Sequence, residues 1–314
     1  MPELPEVEVV RAGLAPAVVG ARVVGVEAHD ARALTRHAGT PAEFEARLTG
    51  RTFGGTARRG KFLWLPLDEA SPAGAPEAVM VHLGMSGQML LRAAGAPPER
   101  HERIRIAIEH PDHGELAVVF ADQRTFGSLA IDALIPTPDS RAGGSGHDAP
   151  LVPQQAAHIA RDPLDPAFDD ALFRRRLVMK SSAIKRVLLD QTVVSGIGNI
   201  YADEALWAAR IHPETLARDL TTRTVNRLLA EVRAVLAKAL AEGGTSFDAQ
   251  YVNVNGEAGY FAHSLNAYGR HGKPCPRCGR MIVRTSFTNR SSHFCPFCQR
   301  VRAVQGREAA SADH

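Results

Sequence analysis

Four cysteines near the C-terminal end constrain the fold of this chain more than any other feature. They form two Cys-x-x-Cys pairs, Cys275 with Cys278 and Cys295 with Cys298, separated by sixteen residues. Two such pairs at this spacing place four thiolates around one tetrahedral zinc ion, and a site closed in this way is structural. The alternatives are disulfides, which a reducing cytosol disfavours, or a redox motif, which would not normally occur twice. We expect one Zn²⁺ ion with four Cys ligands.

The region around the cysteines is strongly basic. From Ala258 to Arg307 the chain has nine Lys or Arg and no Asp or Glu, although its net charge is only +3. A basic block of this kind indicates a polyanion such as nucleic acid, or simply a solvated tail. The stretch between the cysteine pairs is long enough for a hairpin with Arg290 near its tip. Arg290 is then either a solvated turn residue or a phosphate ligand.

The chain carries no pattern for export or membrane insertion. No apolar run approaches the roughly 20 residues that cross a bilayer. The N-terminus from Met1 to Glu6 is acidic and Pro-rich, unlike a signal peptide. With 45% apolar and 23% charged residues the composition is that of a globular protein, which we expect in the bacterial cytosol.

The N-terminal part combines one helix with many short strands. Apolar residues at helical spacing predict a helix over Val7–Val18. Six stretches with strand character follow, with Gly, Pro or Asp in the gaps, and no long helix separates them. They are Arg22–Val26, Lys61–Leu67, Ala78–His82, Gln88–Leu91, Ile104–Ile108 and Leu116–Phe120. This pattern predicts an antiparallel sandwich or barrel.

The second half is helical. Residues 136–155 are rich in Pro, Gly, Ser and Asp and are predicted to be a linker. Asp165-Pro166 resembles a helix start. Further helices are predicted at Ser182–Asp190, at Asn199–Arg210 and along an apolar stripe from Val225 to Leu240. Residues 303–314 are predicted to be a disordered tail.

The turn from Ser195 to Asn199 contains two glycines between two predicted helices. The helix that follows such a turn has free N–H groups and a positive dipole end, which suit a phosphate. Gly-rich turns between helices are also common as purely structural features. With Asn199 at the helix start and a basic region downstream, phosphate binding and a purely structural turn are equally well supported.

The N-terminus offers a nucleophile. Removal of Met1 would expose the secondary amine of Pro2, and an α-amino group has a pKa near 8, well below that of lysine. Attack on a sugar C1′ would expel a base and leave an iminium, with Glu3 and Glu6 beside it to move protons. Taken alone, the hexapeptide is better explained by a merely Pro-rich start.

Four motifs stand in one order along the chain: Pro2 to Glu6, His82 to Gly87, Gly196 to Ala202, and the cysteine finger. Together they resemble the formamidopyrimidine-DNA glycosylases, over residues 2 to about 302. The resemblance implies an α+β fold, with an N-terminal helix and antiparallel β-sandwich, a helix-two-turn-helix domain and a zinc finger. The implied limits are 1–135, 156–265 and 266–302, and damaged double-stranded DNA would bind a monomer in the cleft.

The resemblance also implies roles for individual residues. Pro2 would be the nucleophile and Glu3 the acid that opens the sugar ring, with support from Glu6 and with Lys61 near the lesion. His82, Asn199 and Arg290 would grip phosphates. Met85, Arg124 and Phe126 would fill the gap left by the flipped nucleotide. In isolation, Met85 and Phe126 would instead be read as core residues, and Lys61 and His82 as polar residues at strand edges.

The resemblance implies a bifunctional DNA glycosylase and AP lyase that excises oxidised purines and cuts the strand by β,δ-elimination, and two other functions remain open. The endonuclease VIII branch shares the implied fold but removes oxidised pyrimidines. It typically has Gly where this chain has Leu4, and it lacks the Met85, Arg124 and Phe126 set. The segment Thr245–Tyr260 matches the position of the loop that covers a flipped purine, although its sequence departs from the most familiar version. A non-catalytic DNA-binding protein is the second alternative, which the presence of Pro2, Glu3 and Lys61 disfavours.

Overall fold

The computed structural model describes residues 2–68, 74–245, 254 and 261–300. The strands are β1 (Arg22–Ala28), β2 (Ala57–Arg59), β3 (Phe62–Pro66), β4 (Glu77–His82), β5 (Gly87–Ala93), β6 (Glu102–His110), β7 (Gly114–Asp122), β8 (Ser128–Pro136), β9 (Leu151–Pro153), β10 (Val283–Phe287) and β11 (Arg290–Phe294). The α-helices are α1 (Leu4–Val18), α2 (Pro41–Leu48), α3 (Asp170–Val178), α4 (Ile184–Leu188), α5 (Asn199–Ala208) and α6 (Thr222–Ala241).

The N-terminal strands form two antiparallel sheets, which confirms the predicted sandwich. One sheet has the order β1-β6-β7-β5 and the other β2-β3-β4-β8-β9. Apolar side chains from both sheets and from α1 share one core, because strands with one buried face must cover it. Helices α3 to α6 form a second core, and β10 and β11 form a separate hairpin.

Helix α1 joins the two cores. Its Val7, Val10 and Leu14 lie in the sandwich core, whereas Leu4 lies in the helical core. The helix begins at Leu4, earlier than the apolar spacing indicated. Pro5 suits a first helical turn, and the Glu6 carboxylate accepts the Glu3 N–H at 2.8 Å. The first residues of the chain are thereby held between its two halves.

The segment 136–155, predicted to be a linker, packs on the sandwich instead. Its strand β9 pairs with β8 and completes the five-stranded sheet. Ser145 exchanges backbone hydrogen bonds of 2.9 and 3.0 Å with Arg58 in β2. The segment therefore packs along both edges of the sheet, against β8 and against β2. Its composition alone did not indicate this packing. The limits of the domains stay predictions.

The predicted helix start at Asp165-Pro166 is wrong. Helix α3 begins at Asp170, and the cap is Asp169, whose carboxylate accepts the Leu172 N–H at 2.8 Å. Asp165 instead accepts the Ala167 N–H and pairs with Arg161. Asp-Pro thus marks a turn here, since an Asp side chain can close a turn as readily as it caps a helix.

Three further predictions from the sequence concern membrane insertion, the C-terminal tail and the segment Thr245–Tyr260. None of the helices in the described ranges is both long and apolar enough to cross a membrane. The predicted tail at residues 303–314 lies outside the described residues. The segment Thr245–Tyr260 does so as well, apart from Thr245 and Val254. Val254 is buried in the sandwich core, and its carbonyl accepts the Leu91 N–H at 3.0 Å.

Candidate active site

The N-terminal residues lie buried where the two halves of the chain meet. Pro2 and Glu3 are both buried, and the Leu4 N–H donates to the Gly196 carbonyl at 2.9 Å. Gly196 has φ +87, and a Cβ there would lie 2.6 Å from Leu4. Glycine is therefore required at this turn, because it lets the backbone of the second half approach the N-terminus closely.

The Glu3 carboxylate occupies the start of α5. It accepts the N–H groups of Gly198 at 2.6 Å and Ile200 at 2.9 Å. The sequence left open whether these N–H groups bind a phosphate or belong to a purely structural turn, and in this structure they bind Glu3. The anion at the helix N-terminus is Glu3 itself, and a Cβ on Gly198 would lie 2.3 Å from its carboxyl carbon.

Burial raises the pKa of Glu3. The positive charge of Lys61 opposes this effect, Glu6 adds to it, and the donated N–H groups oppose it, but the pKa remains above its ordinary value of 4.5. A carboxyl group that keeps its proton more readily than usual is suited to act as an acid.

The Glu6 carboxylate accepts hydrogen bonds from Glu3, Tyr201 and Thr245. Besides the Glu3 N–H, its carboxylate accepts the Tyr201 hydroxyl at 2.5 Å and the Thr245 N–H and hydroxyl at 2.7 and 2.9 Å. Burial, followed by the charge of Glu6, raises the pKa of Tyr201 well above 10.0. Tyr201 therefore stays a hydrogen-bond donor, and Glu6 ties the N-terminus to both α5 and the residue that begins the Thr245–Tyr260 segment.

Lys61 lies at the turn between β2 and β3. Burial lowers its pKa, while the charge of Glu3 raises it and that of Arg290 lowers it. Lys61 lies at the contact between the halves, because a Cβ on the preceding Gly60 would lie 2.7 Å from the Ser195 side chain. The structure thus brings Pro2, Glu3, Glu6 and Lys61 together at the junction of the two halves.

Met85, Arg124 and Phe126 lie on two neighbouring turns of the sandwich. Met85 is 43% exposed and Phe126 61% exposed, so neither is a core residue. The Arg124 guanidinium reaches the Met85 sulfur at 3.7 Å. Asp122 holds both turns by accepting the Ser86 hydroxyl, at 2.5 Å, and the Gly127 N–H, at 2.8 Å. Large apolar side chains are thus presented to solvent on a rigid base.

His82 ends β4 and is half-buried beside Phe62, with a distance of 5.1 Å between ring centroids. Burial, followed by the charges of Arg36 and Lys61, lowers its pKa to about 4. His82 is therefore neutral at physiological pH, so any grip on a phosphate would be an N–H hydrogen bond rather than an ion pair.

Asn199 and Arg290 lie on different elements. Asn199 is the first residue of α5, and exposed Arg290 begins β11, where it pairs with Phe287 across the hairpin turn. The predicted hairpin with Arg290 at its tip is confirmed.

The four cysteines converge at the base of this hairpin. Their sulfur atoms all lie within 4.8 Å of one another. Cys295 Sγ accepts the Cys298 N–H and Cys275 Sγ accepts the Trp207 indole N–H, each at 3.4 Å. Four thiolates at this spacing fit a tetrahedral zinc ion and leave no position open for a substrate, so the zinc is structural.

Family models match three successive parts of the chain. The formamidopyrimidine-DNA glycosylase N-terminal domain matches residues 1–129, and the H2TH domain of the same enzyme matches residues 159–250. A zinc finger found in FPG and IleRS matches residues 272–301. A formamidopyrimidine-DNA glycosylase of Leifsonia xyli subsp. xyli is 63% identical over 301 residues, which cover 96% of this chain and all of that protein.

This chain belongs to the formamidopyrimidine-DNA glycosylase family.

Solved structures of the family share the fold. A Lactococcus lactis Fpg mutant in complex with Fapy-dG-containing DNA has a TM-score of 0.78 at 32% identity, and covers 95% of this chain and 100% of its own. The L. lactis Fpg with an abasic site in the DNA has a TM-score of 0.77 at 30% identity, with 95% and 99% covered. The α+β architecture, the H2TH domain and the zinc finger predicted from the sequence are confirmed.

A buried ion pair in this Fpg family member was not predicted. Lys185 of α4 pairs with Asp203 of α5 at 2.7 Å and donates to the Ser291 carbonyl and the Ser292 hydroxyl of the finger. This pair joins the finger to the helices and thus sets where Arg290 lies. The only sequence signal is a charged residue on an otherwise apolar helix face, a weak one because such residues are usually solvent-exposed.

Proposed function

We propose that this chain is a bifunctional DNA glycosylase and AP lyase that removes oxidised purines, namely 8-oxoguanine and formamidopyrimidines, from damaged double-stranded DNA. The observation that carries this proposal is the grouping of buried Pro2, Glu3 and Glu6 with partly buried Lys61 at the junction of the two halves. We also infer that it acts as a monomer in the bacterial cytosol.

The chemistry follows from the free amine of Pro2, once Met1 is removed. Its nitrogen attacks C1′ of the lesion nucleotide while Glu3 donates a proton to the sugar oxygen, and the base leaves with its bonding electrons. After the amine proton is lost, the C1′–O4′ bond breaks with its electrons going to the protonated sugar oxygen, which opens the ring and gives an iminium at C1′. The iminium acidifies C2′, so β-elimination breaks the 3′ C–O bond, and δ-elimination then breaks the 5′ bond. A one-nucleotide gap flanked by phosphates remains.

The exposed residues supply the access that this chemistry needs. A base inside a duplex cannot reach Pro2, so it must flip out at a cost of a few kcal/mol. Insertion of Met85, Arg124 and Phe126 into the vacated space offsets part of that cost and bends the duplex. Lys61, His82, Asn199 and Arg290 hold the backbone phosphates, which positions the strand without reading its sequence.

An endonuclease VIII-like preference for oxidised pyrimidines is the second candidate. The observation that favours it is that L. lactis Fpg, which is 31% identical to this chain, has a solved complex with DNA that contains an oxidised pyrimidine. Leu4 and the Met85, Arg124 and Phe126 set favour the purine branch.

Single-turnover excision from matched duplexes separates these functions. One duplex carries 8-oxoguanine opposite cytosine, one carries thymine glycol opposite adenine, and an undamaged duplex is the control. We expect fastest release from the 8-oxoguanine duplex together with strand cleavage. Faster release of thymine glycol would favour the pyrimidine branch, and binding without cleavage of any duplex would favour a non-catalytic DNA-binding protein.

A further inference from the structure

The turn that carries Lys61 is packed against the second half of the molecule. Gly60 has φ +57, and a Cβ on it would lie 2.7 Å from the Ser195 side chain and 3.0 Å from the Gly196 nitrogen. The position of Lys61 therefore depends on the contact between the β2–β3 turn and the turn that precedes α5.

One carboxylate from the second half holds this turn. The Asp162 side chain is 1% exposed, and its Oδ2 accepts the Arg58 guanidinium at 2.8 Å and the Gly60 N–H at 3.3 Å. Its Oδ1 accepts the Leu164 N–H at 3.2 Å, which fixes the carboxylate in its own segment. Asp162 thus reaches the residue immediately before Lys61.

Arg58 and Asp162 together hold Gly60, and we call this pair the clamp. The Nη1 of Arg58 also donates to the Gly60 carbonyl at 3.2 Å, and its Nε donates to Glu8 of α1 at 2.7 Å. Both backbone polar groups of Gly60 are therefore bound by the ion pair of Arg58 and Asp162. Burial by itself would lower the pKa of Arg58, but the charges of Asp162 and Glu8 raise it, so the guanidinium stays charged.

A buried pair of this kind is costly to form and sensitive to the loss of one partner. Replacing the Asp162 carboxylate leaves the buried Arg58 guanidinium with Glu8 as its remaining ion-pair partner and weakens the hydrogen bond to the Gly60 N–H. Small displacements of a catalytic amine have large effects on rate, because the reacting atoms must be held within a narrow range of distances.

We propose that Asp162 is a positioning residue, which holds the amine of Lys61 in its catalytic location across the junction of the two halves without touching DNA. The proposal rests on the proposed function, in which Lys61 lies near the lesion. According to this proposal, Lys61 is correctly placed only when the two halves are in contact. The reason is that the clamp connects α1, through Glu8, with β2 and with the segment that begins the second half.

The test is a double-mutant cycle on the full-length, zinc-loaded protein. Single-turnover excision of 8-oxoguanine is measured for Asp162→Asn, Lys61→Ala and the double variant, with DNA binding and thermal unfolding in parallel. Asp162→Asn is expected to slow excision about tenfold or more in the wild-type background. In the Lys61→Ala background it is expected to have almost no further effect, because residues that act through one another are not additive.

Two variants bracket this result. Asp165→Asn is the matched control, because Asp165 lies in the same segment, is almost buried, and its carboxylate binds Arg161 at 2.6 Å and the Ala167 N–H rather than Gly60. It is expected to change the rate less than about twofold. Asp162→Glu keeps the charge within reach of Arg58 and is expected to restore most of the rate.

The outcomes are distinct. Equal slowing by Asp162→Asn with and without Lys61 would overturn the proposal, as would an unchanged rate or an equal loss in Asp165→Asn. If Asp162→Asn does not fold, Arg58→Lys replaces it in the cycle, since lysine keeps the charge but cannot bind Gly60, Glu8 and Asp162 together. Failure of the proposed function is recognised separately, because the wild-type protein would then not excise the base.

Discussion

At the scale of single residues, the Glu3 carboxyl group combines two opposing environments. Three backbone N–H groups and the charge of Lys61 favour the anion, while burial and Glu6 favour the protonated acid. The net effect raises its pKa, so the proton is retained to a higher pH than in a free carboxyl group. The residue can therefore release a proton to the sugar and take one back.

This balance predicts the pH dependence of base excision. In the proposed function the protonated form of Glu3 is the active acid, so the excision rate at saturating enzyme should fall as pH rises through its raised pKa. Glu3→Gln should bind lesion DNA but fail to excise, since an amide cannot donate the proton. It should still nick a pre-formed abasic site. Excision by Glu3→Gln at the wild-type rate would remove Glu3 from the chemistry.

Phe126 is expected to act in base flipping. Phe126→Ala should slow excision from a paired duplex much more than from a site where the base is already unpaired, because the side chain offsets the cost of unstacking. Met179→Ala, which removes an apolar side chain that is 83% exposed elsewhere, is the control. Equal losses on both substrates would show that Phe126 acts through something other than flipping.

Arg290 is expected to contact a phosphate. Each such contact contributes about 0.9 to the slope of log K against log salt, so Arg290→Ala should weaken binding and flatten the slope by about one unit. Arg280→Ala is the control, because Arg280 lies over the Phe297 ring at the other end of the finger. An unchanged slope for Arg290→Ala would mean that Arg290 touches no phosphate.

At the scale of elements, the zinc finger depends on its metal and on its attachment to α4 and α5. A chelator that removes the zinc should abolish DNA binding, because binding of the metal and folding of such a site are one free-energy event. Cys278→Ser should behave in the same way. Circular dichroism and DNA affinity of a verified zinc-free sample check this, and undiminished affinity would show that the finger is dispensable.

Elements with a local signal could be predicted from the sequence, whereas contacts between distant residues could not. The apolar stripe of α6 and the alternation in β6 identified those elements within a few residues. Strand β9 has three residues inside a Pro- and Gly-rich segment, so its pairing with β8 has no local signature. The family motifs indicated the candidate site, but Glu3 binds Gly198 across 195 positions, and only the fold reveals which N–H groups it occupies.

At the scale of the whole molecule, the N-terminus is the point where the parts of the protein meet. Helix α1 contributes to both cores, Glu6 contacts α5 and Thr245, and the Arg58 and Asp162 pair closes the junction from the other side. The proposed nucleophile therefore lies on a part of the chain that contacts both halves. A group held in this way is pre-organised for a displacement at C1′.

The central claim is that the amine of Pro2 is the nucleophile, and borohydride trapping on an 8-oxoguanine duplex tests it most directly. Two samples are compared by intact mass and by trapping: one with Met1 removed, and one in which Met1 is retained or the N-terminus is blocked. We predict a covalent complex only with the free Pro2 amine, while both samples bind the duplex, because His82, Asn199 and Arg290, which are proposed to hold phosphates, lie on other elements than Pro2. Trapping by the blocked sample would contradict the claim, and Lys61 would then be the next amine to test.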